Sequence, residues 1–133
     1  MEKVLYLPME KKWYDLVLSG EKKEEYRLFK PYWQTRIRKW LIYNSPNNLN
    51  GCSKWPGFGN KFLVRLDDGE KSLPIVFFNG YQKDARKFKA YCSRIEIRVT
   101  AFRPEWGEDE YNGQPHFTLH IGHIVKEETD NGK

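Results

Sequence analysis

Residues 92–103 read Cys-Ser-Arg-Ile-Glu-Ile-Arg-Val-Thr-Ala-Phe-Arg. Ile95, Ile97 and Val99 alternate with Arg94, Glu96 and Arg98. A period of two places one set on a core face and the other towards water, the signature of a half-buried strand. Residues 116–125 repeat the pattern with Phe117, Leu119 and Ile121 on one face. In residues 23–29, Tyr26 and Leu28 point one way while Glu25 and Arg27 point the other. Shorter strands are expected at 3–7, ended by Pro8, and at 61–67 and 73–79, with Asp68-Gly69 as a turn between the last two. Trp40-Leu-Ile-Tyr43 reads as a buried strand.

One segment has a clear helical period. Trp13, Leu16 and Val17 share a face within 9–19, and Gly20 stands where a helix commonly ends. Residues 31–39 suit a short helix with Pro31 in its first turn, and 82–90 suit a helical turn. Residues 44–60 are rich in Asn, Gly and Pro and carry Cys52, Trp55 and Phe58. A second loop spans 104–115, with Trp106 and the acidic Glu108-Asp109-Glu110. One clear helix among many short strands predicts an α+β fold, a small mixed β-barrel with one or two flanking short helices, and not a doubly wound sheet.

The 133 residues suit a single domain, 1–133, and the 16% aromatic content gives a small core large buried areas. No apolar run reaches the length of a membrane span, and the N-terminus has no secretory pattern, so a cytoplasmic location is expected. Cys52 and Cys92 are too few for a disulfide framework and are expected as free thiols. The net charge of +5 is uneven. Residues 1–103 hold 21 Lys/Arg against 11 Asp/Glu, whereas 104–133 hold 2 against 7. A basic body points to a polyanion, nucleic acid first.

The segment richest in chemistry is Gly20-Glu21-Lys22-Lys23-Glu24-Glu25-Tyr26-Arg27, which joins a helix end to a strand. Glu25 and Arg27 share a strand face and can pair. Lys22 would need burial or a cationic neighbour to become a nucleophile or base at neutral pH. The plain alternative is a solvated, salt-bridged strand face.

Gly20-x-Lys22-x-x-Glu25-x-Arg27 resembles the G-x-K-x-x-E-x-R motif of the ASCH domain family. The preceding helix and the stretches Phe78-Asn-Gly80-Tyr81, Arg103-Pro-Glu-Trp-Gly107 and Phe117-Thr-Leu-His-Ile-Gly122 are also similar to single-domain bacterial and phage-type members. The resemblance implies a PUA-like β-barrel that binds RNA or reads a modified base, with a ligand cleft around the motif. Some members of this size are enzymes, a ribonuclease and an N4-acetylcytidine amidohydrolase among them. In the amidohydrolase type, the motif lysine, a threonine three residues on and a later glutamate form the catalytic set. Lys22 matches the lysine, Glu25 stands in the threonine's place, and Glu105, Glu108 and Glu110 lie in the region of the later glutamate.

Cations and rings interleave at 26–43 and 81–94, the pattern by which single-stranded nucleic acid is held through phosphates and stacked bases. Arg27, Arg36, Arg38 and Lys39 from the first stretch, Lys23 beside it, and Trp55 and Tyr81 in glycine-flanked loops are candidate ligand contacts. Most other rings are assigned to the core. His116, His120 and His123 lack metal-ligand spacing, and no P-loop or dinucleotide fingerprint is present, so no metal or cofactor is expected. Three readings stand: an RNA- or modified-nucleotide-binding domain, a small hydrolase using Lys22 and Glu25, and a protein-interaction module.

Overall fold

The computed structural model describes residues 3–44, 63–65, 73–82, 84–99 and 104–125. The fold is α+β: a curled half-barrel sheet with two helices. The strands are β1 (Leu5–Met9), β2 (Glu24–Leu28), β3 (Leu63–Arg65), β4 (Pro74–Asn79), β5 (Lys87–Arg98) and β6 (His116–Ile124). The helices are α1 (Lys11–Leu18) and α2 (Pro31–Asn44). The sheet runs β1-β4-β5-β6-β2, with β3 also paired to β5. Among the described strands only β1–β4 is parallel.

The alternating segments form the centre of this sheet. Ile95 pairs with Leu119 and Ile97 with Phe117, and all four are fully buried. The core continues through Leu7, Ile75, Phe77 and Phe88, with Phe77 stacked on Phe88 at 5.0 Å. That pairing corrects the helical turn expected at 82–90. The chain turns at Gln82–Ala85, then enters β5 at Lys87, because Phe88 and Ala90 are fixed opposite Phe77 and Ile75. At its other end β5 runs to Arg98, and residues 100–103 of the expected strand lie outside the described residues.

Trp40–Tyr43 is likewise not a strand but the last part of α2. Ile37, Trp40 and Leu41 are buried at helical spacing, and the Trp40 Nε1–H donates to Pro74 O at 2.9 Å. Asn44 holds the helix end by donating to Trp40 O and Lys3 O. A four-residue apolar run does not distinguish strand from helix; the anchor on β4 decides.

Pro8 does not end β1. The strand is terminal in the sheet, and Pro8 lies where its missing N–H would face away from β4. In α1 the deepest residues are Tyr14 and Val17, with Trp13 only half-buried, because Tyr14 meets Phe88 edge-on at 5.1 Å. Gly20 has φ +87, and its N–H bonds to Val17 O. A residue with a Cβ is strained there, so glycine suits this exit from the helix. The next bond, Lys22 N to Leu16 O at 2.9 Å, turns Lys22 back beneath the helix. No helix among the described residues is long and apolar enough to cross a membrane.

Candidate functional site

The segment 20–27 forms a charged line along the outer edge of β2. Cross-strand pairing puts Glu25 opposite Leu119 and Arg27 opposite Phe117, so both share the core-facing side of the sheet. Their burial follows from that position. Lys22 is 1% exposed. Its ammonium donates to Glu25 Oε1 and, at 2.7 Å, to Glu24 O. It also lies 5.1 Å from the Tyr26 ring centre and 5.6 Å from that of Trp13. Arg27 Nη1 donates to Glu25 Oε2 and to Tyr26 O, each at 2.6 Å.

The Arg27 Nη2 donates to Pro8 O at 3.0 Å. β1 and β2 are the two ends of the sheet, so this guanidinium bridges the gap between them. Lys22 and Arg27 also cover the Glu24 and Tyr26 carbonyls on the free edge of β2, and the Tyr111 hydroxyl donates to Tyr26 O as well. Two cations that satisfy an open strand edge also block its pairing with another chain.

Burial pushes the Lys22 ammonium below its ordinary value against the pull of Glu25. Burial alone would raise Glu25, but Lys22 and Arg27 outweigh it and hold the carboxyl below the usual carboxylate range. Glu25 is thus an ionised acceptor fixed between two cations, a strong positioning group and a weak base. Burial raises Tyr111.

Arg27 and Glu25 open onto a cleft of about 1220 Å³ lined by β1, the near face of α2, Trp13, Tyr81 and Tyr111. Its charged rim comprises Lys3, Arg27, Arg36 and Lys39 with Glu10, Glu25 and Glu110. Tyr32 and Trp33 lie on the α2 side, with Arg36 stacked over Tyr32 at 4.0 Å and Arg27 over Trp33 at 5.3 Å. A smaller recess of about 40 Å³ reaches Lys22 between Trp13, Tyr26, Trp106 and Tyr111. Gly107 permits this close packing: a Cβ there would fall 3.1 Å from Trp13 Cζ2.

The structure therefore brings Lys22, Glu25, Arg27, Arg36, Lys39 and Tyr81 around one cavity and its recess. Lys23 is exposed but does not line the cleft, and neither does Arg38. Trp55, Phe58 and Cys52 lie outside the described residues. Sequence reasoning missed Trp13, Trp33 and Tyr111 as cleft residues. The rings were visible in the chain, but only the tertiary contacts distinguish a cleft wall from core.

The opposite face of β2 carries a second polar network that the alternation did not reveal. Glu24 Oε1 accepts from Arg98 Nη2 at 2.9 Å and from the Tyr26 hydroxyl at 2.8 Å. Arg98 Nε donates to Thr118 Oγ1 at 3.0 Å. His120 Nε2 lies 2.6 Å from Glu96 Oε2, and its Nδ1 lies 3.5 Å from Glu24 Oε2. Burial lowers His120 despite the two carboxylates. His116 and His120 do share a strand face, but among the described residues no group of His, Cys, Asp and Glu could hold a metal ion. Cys92 is buried, and burial pushes its thiol up to about 12, far from a reactive thiolate.

No family model, curated protein or solved structure matches this chain.

Proposed function

We propose that the protein is a PUA-like, ASCH-type domain that binds RNA or a modified nucleotide in the cleft beside Glu25 and Arg27. The observation that carries this reading is the cleft's composition. Aromatic Trp13, Tyr32, Trp33 and Tyr81 line the same cavity as Arg27, Arg36 and Lys39. Rings supply stacking faces for bases, and cations supply contacts for phosphates. Within this reading Glu25 is the organiser: it holds Lys22 and Arg27 in fixed positions, and Arg27 in turn presents its guanidinium at the cleft wall. The basic residues of α2 give the backbone of a bound strand a path out of the cavity.

A second reading is catalytic. Lys22 is desolvated, its proton held less tightly than usual, and the recess of about 40 Å³ reaches it from Trp106 and Tyr111. That is the environment in which a lysine serves hydrolysis of RNA or of an acylated cytidine. The ion pair with Glu25 favours recognition over this, because both groups are already engaged.

The test incubates the protein with a mixed RNA and modified-nucleoside panel and scores retention and product together. Binding that weakens steeply with salt, without product, is the expected result. Product formation that Lys22→Ala abolishes while binding survives replaces recognition with hydrolysis. Neither binding nor product refutes both and leaves the protein-interaction reading.

A further inference from the structure

Strand β1 has an edge that no described strand uses. Met9 O accepts from Gly80 N at 2.8 Å on the β4 side, so residues 5, 7 and 9 direct their backbone groups to β4. Alternation then turns those of Tyr6 and Pro8 outward, and the Arg27 bond to Pro8 O confirms the direction. Within β1 this outer edge is short. Pro8 has no N–H, and its carbonyl is taken by Arg27. Just before the strand, Asn44 occupies Lys3 O at 2.8 Å. What remains inside β1 is one donor and one acceptor, the Tyr6 N–H and C=O, and neither meets a described residue. Tyr6 and Pro8 both line the large cleft.

We propose that the Tyr6 N–H and C=O pair with the hydrogen-bonding edge of a nucleobase lodged in the cleft. This rests on the nucleotide reading above and gives it a point of contact. An added peptide strand needs partners at alternate residues along several positions. Here proline and Arg27 stop such pairing after one residue, so the edge suits a single planar group. A nucleobase is such a group, with a donor and an acceptor side by side on its pairing edge. Tyr32 and Trp33 offer ring faces across the cavity, and Arg36 and Lys39 stand where the attached phosphates would leave. A phosphodiester alone satisfies the cations but offers no donor to the Tyr6 C=O.

The test follows amide hydrogen exchange at Tyr6 in the intact protein, free and with a short mixed-sequence RNA, beside affinities for the parent and Tyr6→Pro. Proline removes the N–H at a position where the sheet makes no use of it. Expected are about tenfold or greater slowing of Tyr6 exchange by RNA and about fivefold weaker binding by Tyr6→Pro. If Tyr6→Pro fails to fold, exchange in the parent decides. RNA binding that leaves Tyr6 exchange unchanged overturns this contact and spares the cleft reading. No RNA binding by the parent overturns the cleft reading, and this contact with it.

Discussion

Replacing Glu25 by glutamine removes the carboxylate that pairs with both buried Lys22 and Arg27. The side chains of Lys22 and Glu25 are 1% and 8% exposed, so water cannot take over the lost interaction. Breaking a buried pair at one partner costs about 3–5 kcal/mol. Glutamine keeps one acceptor oxygen, and Lys22 keeps Glu24 O and two aromatic faces, so about 3 kcal/mol is expected in urea unfolding. Lys22→Met is expected to cost about 2 kcal/mol, because Glu25 retains Arg27. The double variant should lose little more than the costlier single one, a coupling of roughly 2 kcal/mol. The pH dependence supplies an independent check. With its folded pKa lowered, Lys22 binds fewer protons in the folded chain than in the unfolded one between that pKa and 10.5. Stability therefore rises with pH across that window, and more strongly without the Glu25 charge, so the Glu25→Gln penalty shrinks as pH approaches 10. In the parent, the lowered Glu25 pKa contributes stability that is full above the ordinary 4.5 and is lost as pH falls through the folded value. Additive single and double variants, or an equal Glu25→Gln penalty at pH 7 and pH 10, would refute the buried-pair account.

Arg27→Lys keeps the charge but cannot reach Glu25, Tyr26 O and Pro8 O together. A loss of about 2 kcal/mol is expected, with faster amide exchange in β1 but not in β5; unchanged exchange in β1 would show that Arg27 does not tie the sheet ends. Gly107→Ala meets both a φ of +89 and Trp13 at 3.1 Å. It should cost about 1–2 kcal/mol and alter tryptophan fluorescence, and a fluorescence spectrum identical to the parent's would count against this packing. In a Cys52→Ser background, Cys92 should resist thiol reagents at pH 8 until the chain unfolds, since its thiol is raised to about 12; rapid native labelling contradicts its burial.

The amino-acid sequence by itself determined those elements whose local period is unambiguous. Alternation around Ile95–Ile97 and Phe117–Leu119 is legible because one face of each strand meets core and the side-chain period is two. In β2 the parity was legible but not the side: the charged pair Glu25 and Arg27, not Tyr26, lies on the core-facing side. The pairing of Glu25 with Arg27 follows from the same parity. Trp40–Tyr43 and the start of β5 were not legible, since their conformations depend on Pro74 and Phe77, partners about 34 and 11 residues away in the chain. Pro8 reads locally as a stop, yet it is tolerated because β1 is a terminal strand, a property of the sheet and not of the dipeptide. The Glu24–Arg98 pair joins residues 74 positions apart, and no local pattern announces it. The same holds for the cavity. Which rings line it and which fill the core was decided by how the two ends of the sheet approach each other and by α2 lying beside them. Those are long-range packing choices, governed by total burial and not by any residue's own preference.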